Sequence, residues 1–228
     1  MKSITENLNL NILELLSVLL PGAVCLAILN KISQINAAIT EVGLIGNDWK
    51  NDVGYLAAAY FIGYVIYVIS TYMDEVFDSL KTKYALVGRK ETDCLISYTK
   101  VRWWVKWVFP YIEDTYKLMN QVLPIKLKHL GYCAPRPITA FQYCYRRLMI
   151  EGYPVMFAEV ERYEATSKFF RSMIVVLVLS LFVFYKSIVF WVAFILFVIS
   201  LLVYLNRRQK ALNVAFKNIL VIEGVKRV

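Results

Sequence analysis

The residues best placed to do chemistry are few, and they cluster. Asp74, Glu75 and Asp78 put three carboxylates within little more than one helical turn, with Asp74 and Asp78 on the same side. Membrane enzymes that grip pyrophosphate through Mg²⁺ use such groups, but they need a second acidic cluster facing the first. The other acids, Glu113 with Asp114 and Glu159 with Glu161 and Glu164, alternate with Lys and Arg as on a solvated, ion-paired helix. His129 is the sole histidine; Cys133 lies four residues on and Cys144 eleven beyond that, a poor match to the short paired spacings of zinc ligands. Phosphate loops, dinucleotide glycines, HExxH and GxSxG are all absent from the chain. The expectation is a protein that is not an enzyme, with no catalytic residue, metal or cofactor.

Cations interleaved with aromatics form a second group. KVRWWVKWVF carries Lys100, Arg102, Lys106 and three tryptophans, and FQYCYRRLM carries Arg146 and Arg147 directly after Tyr143 and Tyr145. Such residues stack on bases and hold phosphate, which makes Arg102, Lys106, Arg146 and Arg147 the candidate ligand-binding residues for a nucleotide or nucleic acid. The tryptophan stretch equally describes a helix lying in a headgroup layer. Arg146 and Arg147 equally suit structural ion pairs.

A third group lies in apolar surroundings. Glu14 falls early in ILELLSVLLPGAVCLAIL, with Ser17 and Pro21 on roughly its side of a helix. Tyr60, Tyr64, Tyr67 and Thr71 recur at four, three and four residues and share one helix face, beside the small pair Ala59 and Gly63. Hydroxyls and a carboxylate at membrane depth need partners or water. Glu14, Ser17, Tyr60, Tyr64, Tyr67 and Thr71 are therefore the candidate pore-lining residues. A satisfied hydrogen-bonded seam, or an acid facing the headgroups, would use the same residues.

The elements that must position these groups are set by an oily composition. Apolar residues make up 59% of 228, mean hydropathy is +0.52, and Lys and Arg outnumber Asp and Glu by 26 to 17 for a net charge of +9. Soluble domains hold about 45–50% apolar residues. A helix of 18 residues reaches about 27 Å against a hydrocarbon core of roughly 30 Å, so spans are expected at about 12–29, 54–71, 169–185 and 187–204. The last two form a tight hairpin with Lys186 at its turn. The first is expected to be a retained span rather than a cleaved signal.

Basic residues gather between Lys81 and Lys168 and again from Arg207 onward, which places those segments and both termini in the cytoplasm. The four cysteines lack CxxC spacing and read as free thiols of a reducing compartment.

The expected fold is thus an all-α integral membrane protein: four transmembrane helices, with a helical cytoplasmic domain inserted between helices 2 and 3. Its parts are an N-terminal transmembrane pair (1–71), the cytoplasmic domain (72–168), the hairpin (169–205) and a basic amphipathic tail (206–228) docking on the membrane surface or a neighbouring subunit. Within the cytoplasmic domain, periodicity predicts one helix over 91–109 ended by Pro110, a second broken at Pro124, a loop over 131–137, and a third closed by Gly152 and Pro154. Long helices are expected to run from span two into the domain and from the domain into span three.

With LELLSVLLPGAVCLAIL, two early spans, a basic helical segment and a late hairpin, the whole chain resembles in layout the small multispan effectors of bacterial antiviral systems. The membrane components of the Kiwa and Hailong systems, and membrane accessories of some RNA-guided immune systems, are similar. The resemblance implies a multi-pass protein of the bacterial inner membrane, a homo-oligomer such as a tetramer in contact with membrane lipid. It also implies regulation by a nucleotide or nucleic-acid ligand or by a cytosolic partner protein of the same system. The function expected is an effector that gates membrane permeability. The alternatives are a non-conducting scaffold for a soluble enzyme and a Mg²⁺-dependent lipid-modifying enzyme built on Asp74, Glu75 and Asp78.

Overall fold

The computed structural model describes residues 2–31, 49–84, 86–87, 90–92, 95–132 and 138–225. Seven helices and four short strands occur among them: α1 (Lys2–Leu29), α2 (Trp49–Tyr84), β1 (Leu86–Val87), β2 (Lys90–Thr92), β3 (Leu95–Ser97), β4 (Lys100–Val101), α3 (Trp103–Val108), α4 (Ile112–Leu130), α5 (Ala140–Ile150), α6 (Pro154–Val183) and α7 (Ile188–Val225). Three of them contain stretches long and apolar enough to cross a membrane: Val53–Val76, Pro154–Val183 and Ile188–Gly224. The apolar part of α1 that is described in full, Leu15–Leu29, is shorter.

The chain divides into two compact units. One comprises residues 11–76 and 165–204, the other residues 1–10, 77–164 and 205–228. Helices α2, α6 and α7 each supply residues to both.

In the apolar unit, α1, α2 and α6 meet around Cys25, Ile28, Ile66 and Val176. The Pro21–Gly22 pair in the greasy first run has its explanation here. Helix α1 continues through Pro21, whose side chain is fully buried. Gly22 faces α2 so closely that a Cβ on it would lie 1.8 Å from the Ala59 carbonyl oxygen, and one on Gly63 would lie 2.0 Å from that of Val18. The two glycines and Ala59, itself wholly buried, are a small-residue contact that lets backbones approach. Tyr55 supplements it by donating to the Ala23 carbonyl at 3.1 Å. By contrast, α7 turns Trp191, Val192, Ile195 and Ile199 outward, as a helix facing lipid does. Lys186, at the turn between α6 and α7, is exposed with φ of 82°.

In the other unit, α4, α5, α6 and α7 close a core of Val122, Leu123, Ile125, Tyr143, Cys144, Leu148, Val160, Ala215, Phe216 and Ile219, among others. The segment expected as a surface tail is therefore a core helix: α7 runs on to Val225 and buries Ala215, Phe216, Ile219 and Ile222.

Two further expectations change. Residues 91–109 are not one helix. β2 and β3 pair antiparallel with Glu91 opposite Ile96, β1 pairs with β4 with Leu86 opposite Val101, and only Trp103–Val108 is helical. Both patterns fit the apolar positions, but Ile96 is buried between exposed Leu95 and Ser97, a period of two. The side-chain amide of Asn120 then completes the β3 edge, accepting from Ile96 N at 3.0 Å and donating to Ile96 O at 2.8 Å. Nor does Pro124 break its helix: α4 continues past it to Leu130 and ends at Gly131 (φ 75°). Burial of Val122, Leu123, Ile125 and Lys126 around an exposed Pro124 holds the helix together despite the lost hydrogen bond.

Since a Cβ on Gly63 would collide with the Val18 carbonyl oxygen, Gly63→Val is expected to force α1 and α2 apart and cost about 1–3 kcal/mol. Thermal unfolding followed by circular dichroism in detergent would show a lowered midpoint; an unchanged midpoint would exclude the close contact.

Candidate functional site

The most unusual arrangement in the apolar unit is a buried ionic cluster joining three helices. Arg171 on α6 is 4% exposed, while Ser70 on α2, Ser172 on α6 and Tyr204 on α7 are wholly buried. The guanidinium donates through Nη1 to Asp74 Oδ2 and through Nε to Ser70 Oγ at 3.1 Å. The Tyr204 hydroxyl donates to Asp74 Oδ1. Ser70 donates to the Tyr67 carbonyl at 2.7 Å and stands 3.4 Å from Ser172 Oγ. The Tyr67 ring lies 5.2 Å from the guanidinium carbon, a cation–π distance. Arg171 Nη2 is buried without a hydrogen-bond partner.

Removing a carboxylate and a guanidinium from water costs several kcal/mol each, which close pairing offsets only when the remaining lone pairs and protons are also satisfied. Both oxygens of Asp74 are engaged here, so the cluster meets that condition on its acidic side. One turn further along α2, Asp78 accepts from Arg208 at 2.8 Å in a more exposed pair, and Glu75 is exposed. The three acids thus diverge: two are committed to different arginines. Among the described residues, no three of His, Cys, Asp and Glu converge as a metal site would require.

A second buried network lies in the other unit. Arg147, 6% exposed, donates to Glu223 on α7, to Glu151 at 2.7 Å and to the Tyr143 hydroxyl at 3.0 Å. The Tyr143 hydroxyl also lies 3.0 Å from His129 Nδ1. Burial alone would disfavour the Arg147 charge, but the hydrogen bonds it donates to Glu151 and Glu223 outweigh that and hold the guanidinium more firmly protonated than usual. Burial pushes the Tyr143 phenol and the Cys144 thiol up, and it pulls the Lys126 ammonium down. Lys126 is wholly buried, donates to the Ile138 carbonyl and sits 4.7 Å from the centre of the Tyr132 ring. It ties α4 to the segment that opens α5, where Thr139 and Gln142 form a reciprocal cap.

No family model, curated protein or solved structure matches the chain.

The expected pore-lining residues do not share one environment. Tyr60 and Tyr64 are 48% and 53% exposed on α2; Tyr67 is half-buried beneath Arg171. Thr71 is exposed and donates back to the Val68 carbonyl at 2.6 Å. Ser17 is buried. Glu14 lies on α1, but its side chain falls outside the described residues. Of the expected ligand-binding cations, Arg102 and Arg146 are exposed, Lys106 is exposed and paired with Glu113 at 2.6 Å, and Arg147 is buried as described. Cys25 and Cys144 are free and buried, whereas Cys94 and Cys133 lie outside the described residues.

Sequence reasoning missed Arg171 and Tyr204, and it missed Glu223 as the partner of Arg147. A signal existed for Arg171: a lone arginine just inside one span and an aspartate just past the end of another can pair only if the two helices meet there.

The contrast between neighbours gives a test. Arg147→Met would leave Glu223 and Glu151 uncompensated and cost about 3–5 kcal/mol, whereas Arg146→Met would stay within about 0.5 kcal/mol. Thermal unfolding of both variants checks this, and equal midpoints would contradict the buried network.

Proposed function

We propose that the chain is the subunit of a homo-oligomeric, four-span inner-membrane effector. Both termini are cytoplasmic, and the tyrosine face of α2 contributes to a shared permeability pathway. The observation that carries this reading is the exposure of Tyr60 and Tyr64 in the middle of an apolar stretch. They stand one turn apart on the outside of the single chain, and a phenolic hydroxyl in hydrocarbon is unfavourable without a partner. Water in a pathway between subunits, or the same face of a second copy, supplies that partner. Closed rotational symmetry would place one such face per subunit around an axis. Glu14 contributes an acid at the mouth of the pathway.

In this reading the cytoplasmic unit receives the signal, an anionic ligand or a cytosolic protein, through exposed cations such as Arg146. Helices α2, α6 and α7 run unbroken through residues of both units, so a change in one is transmitted along the helices that carry Asp74, Arg171 and Tyr204. The Asp74–Arg171 pair then acts as the latch of the resting bundle, in the manner of switches with two discrete packings. The resemblance in layout to antiviral effectors supports a role in defence against phage.

A scaffold that anchors a soluble enzyme and conducts nothing is the second reading. It is favoured by Met149, Ile150 and Val155, which stand 58%, 77% and 71% exposed around the α5–α6 turn, as a protein contact would require.

Ion flux from liposomes containing the purified oligomer separates the two. The permeability reading expects cation flux whose selectivity over anions falls several-fold in Glu14→Gln and changes in Tyr60→Phe with Tyr64→Phe. An intact oligomer that passes no ions, with or without its cytosolic partner, would favour the scaffold.

A further inference from the structure

The short helix α3 combines two features that the permeability reading leaves unused. Trp103 and Trp107 are 83% and 75% exposed, among the most exposed large apolar side chains described. They stand at i and i+4, one above the other on the outer face. The same helix is pinned to its unit from the other side: Val105 within it is 1% exposed, and Val101 of β4 and Phe109, which flank it, are buried at 5% and 9%. The indoles are therefore held outward by a fixed support. Around them Lys100, Arg102, Lys106 and Lys117 are exposed, against half-buried Glu113 and exposed Asp114, and Lys106 spans the α3–α4 turn to pair with Glu113 at 2.6 Å. Burying the two indoles would remove a large apolar area from water, and the cations around them favour an anionic surface.

We propose that the Trp103–Trp107 face of α3 inserts into the anionic headgroup layer of a phospholipid bilayer, with Lys100, Arg102 and Lys106 directed at lipid phosphates. Indoles prefer the boundary between headgroup and acyl chain, where the ring is apolar on one side and the N–H stays wet. Short-range attraction of cations to anionic lipid adds to this within about a Debye length. Single-stranded nucleic acid would also meet aromatic rings and cations. The local balance of four cations against two acids, one of them tied to Lys106, is thin for a phosphate backbone, while a chain with membrane-crossing helices always has lipid at high effective concentration. The assignment does not rest on ion conduction, and it turns Arg102 and Lys106 from ligand-binding candidates into headgroup contacts.

The test uses the full chain in vesicles of phosphatidylcholine, with and without phosphatidylglycerol, made with ordinary or acyl-brominated lipid. Subtracting the tryptophan emission of the W103F/W107F variant from that of the unsubstituted protein isolates the two indoles. The proposal expects blue-shifted difference emission, quenched by brominated lipid by about half or more. Quenching should be stronger with phosphatidylglycerol and weaker there in R102Q/K106Q. Difference emission at the wavelength of water-exposed indole, quenched by acrylamide and indifferent to brominated lipid, would overturn the proposal. So would a signal that responds only to an added single-stranded oligonucleotide. Because the readout is on native side chains, misfolding of a variant cannot mimic the expected result: circular dichroism and elution volume must match before spectra are subtracted.

Discussion

A guanidinium and a carboxylate taken out of water set the terms for the apolar unit. A guanidinium buried as deeply as that of Arg171 needs a counter-charge beside it. Asp74 supplies that charge from α2, Tyr204 supplies the second hydrogen bond from α7, and Ser70 takes the Nε proton. Apolar side chains in lipid have little to gain by packing on each other rather than on acyl chains. Polar contacts therefore carry much of the specificity among such helices, and this cluster defines a register for three of them at once.

The remaining constraint on that unit is steric. At Gly22 and Gly63, α1 and α2 approach to the point where a Cβ would collide with backbone oxygen. That contact brings α1 into a bundle whose other helices are tied by charge. The two devices act at different places on α2, close backbone approach at Gly63 and ionic pairing at Asp74, separated by three turns. The exposed tyrosines lie on the same helix, on positions neither device uses. The other unit follows the same logic: Arg147 is buried and answered by two carboxylates, Glu151 just past the end of α5 and Glu223 on α7, and Lys126 by a carbonyl and a ring. Buried cations with designated partners recur throughout the molecule.

Much of this architecture was legible in the residues. The apolar runs mark helices at 54–71 and 187–204 because runs that long and uncharged have few other uses. Gly152 with Pro154 announces the end of α5 and the start of α6. Residues 91–109 misled, since Leu95, Tyr98, Val101 and Val105 satisfy helical spacing while Ile96 and its neighbours satisfy strand spacing. Only the partner strands and Asn120 decide between them. Pro124 misled because tertiary burial on both sides outweighs one lost hydrogen bond. The apolar positions of the tail at 206–228 announced a buried face, but whether it met lipid, a subunit or Val122 and Leu148 depended on helices far away in sequence. The ionic cluster was hidden for the same reason: Asp74 and Arg171 are 97 residues apart. Local charge alternation described each acid well and named neither partner.

Asp74 and Arg171 act as one unit, the guanidinium buried and the carboxylate largely so. The most direct measurement is a double-mutant cycle of Asp74→Asn and Arg171→Met, with unfolding free energies taken in detergent. Coupling of about 2–3 kcal/mol, with the double variant more stable than the sum of the single losses would allow, is the predicted result. Losses that simply add, to within about 0.5 kcal/mol, would show that the two charges act independently and that no such unit exists.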